Sequence, residues 1–262
     1  MVIDDNKKKI VIIGAGNVAT HLSKALDVQN DVIAVFSRSL ENAETLAKYL
    51  KCAKATNDLS SLPDNADFYL ISIKDDLIGE VARAVKTDSG IWAHTSGTVP
   101  ADVFKGIKTN YGVFYPLQTF NKSKSVDVSK VPMFIEGSDA NVTEYLVKLA
   151  ESISSRVSEA DSQARKRFHL AAVFACNFVN RLWGIADEIL RDGGFDLSIL
   201  DPLMHVSLEN ALRYRPENVQ TGPAKRGDMH VIESQVNSIE DERIKEIYKL
   251  ITLNIIDKYK DK

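Results

Sequence analysis

The sequence predicts an α/β protein, with a doubly wound, mostly parallel sheet in its N-terminal part and an all-α C-terminal domain. Three observations lead there. Short apolar runs alternate with amphipathic stretches of helical period through the first part of the chain, the signature of parallel strands joined by helices. The first of those runs ends in a glycine-rich turn. Near Glu159 the texture changes: clusters of β-branched residues almost vanish and long helical patterns dominate. The expected domains are therefore 1–158 and 159–262.

Ile10-Val11-Ile12-Ile13 is a run of aliphatics with no polar alternation, as a strand buried on both faces requires. Gly14-Ala15-Gly16-Asn17-Val18-Ala19 then fits G-x-G-x-x-G/A, with Ala19 in the third small position. Gly14 permits the tight turn, Gly16 lets a pyrophosphate approach the backbone, and Ala19 keeps the next helix close to the strand. That helix runs from Val18 to about Leu26, with Leu22, Ala25 and Leu26 inward and its first N–H groups turned toward the phosphates. A second strand follows at Val32–Phe36. Alone, the two glycines could be a turn that binds nothing. Between strand, helix and strand they read as the Rossmann dinucleotide fingerprint, with Gly14, Ala15, Gly16, Asn17 and Val18 as cofactor contacts.

The end of the second strand selects the dinucleotide. An Asp or Glu there accepts from the ribose 2′-hydroxyl of NAD, whereas Arg suits a 2′-phosphate. The residues are Ser37-Arg38-Ser39, with no carboxylate until Glu41. A guanidinium between two hydroxyls can hold a phosphate by charge-assisted hydrogen bonds, so the expected cofactor is NADP(H). S-adenosylmethionine and FAD, whose ribose prefers an acceptor, fit less well. The competing reading makes Arg38 a solvated loop charge.

The remaining elements follow in order. Leu40–Lys51 reads as a helix capped by Ser39, with Ala43, Leu46, Ala47 and Leu50 as its apolar stripe. A short strand is possible at Cys52–Thr56, then a polar connection from Asp58 to Pro63. Phe68–Ile73 is the next buried strand, followed by a helix from Asp75 to Val85 and a strand at Ile91–His94. Tyr111–Phe114 and Pro132–Glu136 add strands, and a helix from Asn141 to Ser152 precedes Arg156-Val157-Ser158. In the second part, a helix from Ser162 to about Arg191 stops at Gly193-Gly194. Another runs from Asp196 to about Tyr214 with Pro202 in its first turns, and a last one from Glu240 to Tyr259. The long helix is apolar over a wider arc than one neighbour needs, which points to a homodimer through the helical domain.

Composition excludes several classes. Hydrophobic residues make up 44% of the chain, enough to fill a core, and a net charge of −3 leaves no basic footprint for nucleic acid. Cys52 and Cys176 lie far apart in unrelated settings, suggesting neither a disulfide framework nor a metal site. No apolar run approaches the ~20 residues that span a bilayer, and the polar stretch from Met1 to Lys9 is no signal peptide. A cytoplasmic protein acting on a small molecule, with no membrane partner, is expected.

A Rossmann domain followed by a helical one resembles the superfamily of 6-phosphogluconate dehydrogenase, β-hydroxyacid dehydrogenases, ketopantoate reductase and pyrroline-5-carboxylate reductase. Three stretches resemble one subgroup, Rossmann-like NADP oxidoreductases with a DUF2520 C-terminal domain. They are His94-Thr95-Ser96-Gly97, Tyr115-Pro116-Leu117-Gln118-Thr119-Phe120 and Thr221-Gly222-Pro223-Ala224-Lys225-Arg226-Gly227-Asp228. With His169-Leu170-Ala171-Ala172 through Asn177, the resemblance covers nearly the whole chain. It implies hydride transfer between NADP(H) and a small carbonyl or imine compound, and is silent on which one.

The resemblance also gives positions to examine. Ser72-Ile73-Lys74 corresponds to the turn beside the nicotinamide ribose in pyrroline-5-carboxylate reductases, which carry a proline absent here; Lys74 is either a contact or a surface residue. His94 and Ser96, leaving a strand at the carboxyl edge of the sheet, either donate to a substrate or are satisfied by neighbouring loops. His169 and Asn177 stand eight residues apart on the long helix. Asn177, Asn180 and Arg181 share one polar face, which either lines a cleft or pairs with neighbouring backbone. The β-hydroxyacid dehydrogenases place Lys-x-x-x-Asn on this helix; here Val173 stands where the lysine would be. His169 is then the first choice of acid, since imidazole titrates nearest neutral pH. Asn177 would polarise the acceptor and Arg226 would clamp an anionic group. Asp228 could cap the next helix or orient His169; in the competing reading it is only a helix cap, with Arg226 as its salt-bridge partner. A non-enzymatic NADP(H)-binding regulator or redox sensor is the competing class, and a nucleotide-sugar or methyl-transfer enzyme a more distant one.

Overall fold

The computed structural model describes residues 7–260; the outermost residues of both expected domains lie outside that range. Strands β1 (Lys9–Ile13), β2 (Asp31–Phe36), β3 (Lys54–Thr56), β4 (Phe68–Ile71), β5 (Ile91–His94), β6 (Tyr111–Pro116), β7 (Met133–Gly137) and β8 (Val157–Glu159) form one sheet. Their order is β3-β2-β1-β4-β5-β6-β7-β8. Helices α1 (Asn17–Leu26), α2 (Leu40–Ala47), α3 (Ile78–Ala84) and α4 (Ala140–Glu151) each link a strand to its parallel neighbour. No α-helix crosses over between β6 and β7, and the chain returns antiparallel there, as a connection without a crossover permits. The sheet is doubly wound and mostly parallel.

Both faces of the sheet are covered. On one, Ile10 and Ile12 of β1 join Leu22, Val35, Leu46 and Leu146 in a single core. On the other, Val11 and Ile13 meet Tyr69, Ile78, Trp92 and Phe104. Successive residues of β1 thus feed two cores, which explains its unbroken aliphatic sequence. Each such fully buried side chain contributes roughly 1.5–3 kcal/mol.

Several elements are shorter than the sequence suggested. α2 ends at Ala47, and residues 75–85 form a 3-10 turn followed by α3. The long helix occurs as α5 (Ser162–Ala172), a π-helical turn at Val173–Phe178 and α6 (Val179–Asp192), ending at Gly193. The chain divides into two compact units, Met1–Asn177 and Phe178–Lys262, so the division falls at 177/178 rather than 158/159. Compositional texture marks where helices begin, but α5 packs on the sheet. Arg165 of α5 is fully buried. It ion-pairs with Glu136 of β7 and donates to the carbonyls of Ala160 (3.2 Å) and Val99 (2.9 Å). Phe168 lies against Phe134, with ring centroids 4.5 Å apart.

The second unit continues from α6 with α7 (Asp201–Tyr214), two single turns α8 (Pro216–Val219) and α9 (Pro223–Arg226), α10 (Met229–Ser238) and α11 (Glu242–Tyr259). Pro202 sits in the first turn of α7, where its missing N–H costs nothing. No helix of the described residues is long and apolar enough to cross a membrane.

Arg165 is a buried cation whose partner is one carboxylate, and deleting it strands Glu136. Arg165→Met is therefore expected to lower unfolding free energy by about 3–5 kcal/mol, read from urea denaturation; a loss below 1 kcal/mol would mean that α5 is held by its apolar contacts.

Candidate active site

The sheet reverses its winding between β1 and β4, the switch point outside which such sheets bind ligands. Ile13 and Ile71 lie opposite one another there, and Ser72 N donates to the Ile13 carbonyl at 2.8 Å. Gly14 turns with φ +124°, and a Cβ on it would stand 2.1 Å from the Ser72 carbonyl oxygen. Only glycine fits. At Gly16 a Cβ would meet nothing within 4 Å, so the backbone there borders open space. Gly16 is the N-cap of α1, with no side-chain cap and no acidic residue in the first turn. The first N–H groups of α1 are thus left for an external anion, and the residues present fit a dinucleotide pyrophosphate.

A cavity of about 1130 Å³ opens at this turn, at the upper edge of the ~300–1,000 Å³ usual for small-molecule sites. Gly14, Ala15, Gly16, Asn17 and Val18 line it, with Ser37 and Arg38 at the end of β2 and Ser72, Ile73 and Lys74 after β4. Ser39 does not line it; its hydroxyl accepts from Asn42 N at the start of α2 (3.4 Å). Asn42, in the first turn of α2 four residues beyond Arg38, does line it, a contact the sequence reading missed.

His94 and Ser96 have separate fates. His94 is fully buried and does not line the cavity. Its Nδ1 accepts from Ser96 N (3.1 Å), leaving Nε2 to donate to the Pro100 carbonyl (3.4 Å). Burial pushes its pKa down to about 4, against the smaller opposing effect of the Pro100 bond. The ring is thus neutral at working pH. Ser96 lines the cavity, and its hydroxyl donates to Asp75 Oδ2 (2.8 Å) while accepting from Thr98 N and Val99 N (3.1 and 3.0 Å). Thr98 Oγ1 also donates to Asp75 Oδ2 (2.5 Å). Asp75 and Thr98 went unnoticed in the sequence, where an acid after a strand looks like a helix start.

Across the cavity, His169 and Asn177 both face in. At 3.6 residues per turn, eight residues overshoot two turns by roughly 80°; the wider π turn at Val173–Phe178 winds less per residue and reduces that overshoot. His169 Nδ1 lies 3.1 Å from the Tyr115 hydroxyl. Burial raises the pKa of Tyr115 to about 12, with Arg165 pulling it down and Asp75 pushing it up. Tyr115 was legible only as part of a family stretch, since a Tyr at a strand end has no chemical signature until its partner is known.

Arg226 and Asp228 belong to the second unit, and Arg226 does not line this cavity. Asp228 caps α10, accepting from Val231 N at 3.4 Å. Arg181 of the supposed polar face pairs with Glu188 at 2.7 Å.

Because His94 stays neutral when folded, the unfolded chain, with imidazole near 6.5, binds the proton first as pH falls. Between pH 6.5 and about 4 this residue should thus remove stability, about 3 kcal/mol in all. His94→Asn, measured by urea denaturation across this range, should flatten that limb; an unchanged slope would show that His94 is protonated in the fold.

Residues 131–255 match the family model described as domain of unknown function DUF2520, and residues 2–86 that of shikimate/quinate 5-dehydrogenase. No curated protein matches the chain. The "putative NADP oxidoreductase" BF3122 of Bacteroides fragilis is 36% identical over 97% of this chain and 100% of its own, with a TM-score of 0.91. A reductive aminase of Aspergillus terreus, solved with NADPH and ethyl-5-oxohexanoate, shares the fold at 13% identity (96% and 92% covered, TM-score 0.70). So does 1-pyrroline-5-carboxylate reductase of Streptococcus pyogenes at 15% identity (98% and 99% covered, TM-score 0.62). On these grounds the chain belongs to the Rossmann-like, DUF2520-bearing family of the Bacteroides fragilis protein.

Proposed function

We propose that this protein moves hydride between NADP(H) and a small carbonyl or imine compound. One observation carries the reading: a single cavity is lined both by the glycine turn with Arg38 and by the Tyr115–His169 pair. The oxidoreductase class and the NADP(H) cofactor accord with the family.

The roles follow from position. The amides of Ala15–Val18 bind the pyrophosphate, since that of Gly14 already donates to the Phe36 carbonyl, and Arg38 with Ser37 and Asn42 takes the 2′-phosphate. The Ser72–Lys74 turn borders the nicotinamide ribose. The bound cofactor supplies or accepts the hydride, and this chain supplies the proton and the orientation. His169 is the proton source and Asn177 polarises the acceptor. Ser96, braced by Asp75 and the neutral His94, shapes the opposite wall, and Arg226 is given no role. Val173, standing where β-hydroxyacid dehydrogenases carry a lysine, keeps a second reading open: an NADP(H)-binding regulator without turnover. Two free cysteines, Cys52 and Cys176, suit the reducing cytoplasm.

Fluorescence titration should give NADPH binding at least tenfold tighter than NADH, ~1.4 kcal/mol, and Arg38→Ala should abolish the difference. Equal affinities would leave Arg38 without a role, and binding of neither would end the dinucleotide reading. Tight binding with no reduction across a carbonyl and imine panel would favour the regulator.

We also propose a homodimer through the helical unit. α7 has no buried residue, yet Leu203, Val206, Leu208 and Leu212 are all exposed on it by more than half. A helix of this length is marginal in water without packing, and a second copy is the commonest partner for such a face. Sedimentation should report twice the chain mass, and Leu203→Glu with Leu212→Glu should yield monomers; a wild-type monomer would refute the proposal.

A further inference from the structure

We propose that the Tyr115 hydroxyl hands the proton to the reduced substrate, and that His169 acts through it, restoring that proton. This rests on the oxidoreductase reading above and assigns the atom that faces the reacting centre. Tyr115 sits near the carboxyl end of β6, on the cavity wall, and its ring is held on three sides. Phe134 stacks with it at 6.4 Å, and His169 meets it edge-on at 6.3 Å. Gly97 leaves the room it needs: a Cβ there would stand 2.7 Å from the ring and 2.8 Å from the hydroxyl. The hydroxyl is thus fixed beside the Ser96–Thr98 loop.

Hydrogen-bond accounting singles it out. The two hydroxyls of that loop are committed, since Ser96 and Thr98 both donate to Asp75 Oδ2. Tyr115 has one proton and two lone pairs, and its hydroxyl bonds to His169 Nδ1 at 3.1 Å. When Nδ1–H donates along that bond, the phenol proton is left for the cavity. Burial keeps the phenol protonated far above neutral pH, so it acts as an acid and not as a resident base. His169 is only half-buried, and its ring can exchange protons with water.

The step balances. Hydride adds to the carbonyl or imine carbon, and the nicotinamide is oxidised as the substrate is reduced. The C=O or C=N π electrons move onto the heteroatom, which takes the Tyr115 proton as the O–H bond breaks. The phenolate takes a proton from imidazolium Nδ1–H, and the imidazole recovers one from water. Oxidation runs the same path backwards.

The test uses the full chain with NADPH and two probes, 4-nitrobenzaldehyde and 2-methyl-1-pyrroline. Tyr115→Phe keeps the ring and its packing. It should leave NADPH affinity unchanged and lower kcat by on the order of 100-fold or more, with little change in KM. His169→Ala should lose turnover to a similar extent and regain part of it when imidazole is added to the medium. Tyr115→Phe should gain nothing from imidazole. Wild-type turnover matched by Tyr115→Phe would overturn this proposal alone, and a His169→Ala enzyme that imidazole does not help would overturn the relay. A wild type that binds NADPH but reduces neither probe would overturn the oxidoreductase reading and this proposal with it.

Discussion

The turn after β1 exists only because position 14 has no side chain: a Cβ there would press on the Ser72 carbonyl at 2.1 Å. That closeness ties the ends of β1 and β4 together, and the rest of the first unit depends on it. From this pair the chain leaves in opposite directions, α1 over one face of the sheet and α3 over the other. The gap between them is the cavity. The same absence of bulk leaves the backbone of Gly16 bare, and α1 begins without a side-chain cap. A tight-packing constraint and an anion site are thus one feature. Filling position 14 would disturb both.

The other wall is built on charge. Arg165 is held by Glu136 and two carbonyls, and one helical turn later His169 emerges over the sheet. Burying a guanidinium is costly; although Arg165 Nε finds no hydrogen-bond partner among the described residues, the bonds of its two terminal nitrogens leave α5 little freedom of register. The cation also acts on its neighbours, lowering the pKa of both His94 and Tyr115, while Asp75 raises both. For each group burial outweighs these opposed charges. The site therefore holds a neutral imidazole behind one wall and a neutral phenol on the other, between a fixed cation and a fixed anion.

What could be read from the sequence was whatever depends on local pattern. The aliphatic run at Ile10–Ile13, the small residues at 14, 16 and 19, and Arg38 after β2 each carry their reason within a few residues. Ser39 as a cap was legible for the same cause, and that role keeps it off the cavity wall. What escaped depends on contacts between distant segments. Arg165 looks like one more basic residue on a polar helix until Glu136, 29 positions earlier, is seen beside it. His94 reads as a candidate acid until burial makes it neutral. Tyr115 and His169 are 54 positions apart, and no periodicity links them. The boundary at 158/159 followed composition, and composition does not know that α5 packs on the sheet.

The absent lysine fits this picture. In β-hydroxyacid dehydrogenases the acid/base group stands on the long helix, four residues before the asparagine. Here that place is Val173, where the π turn begins. An ammonium so placed would stand one helical turn beyond His169 and add a second cation to a helix that already carries Arg165. With the proton held instead by a neutral phenol on β6, the helix needs to supply only an imidazole and an amide. Widening the helix at Val173–Phe178 helps turn Asn177 toward the cavity that His169 lines. A sheet-borne donor, a helix-borne relay and a locally unwound helix then answer one requirement: delivering a proton to a developing anion from a neutral donor.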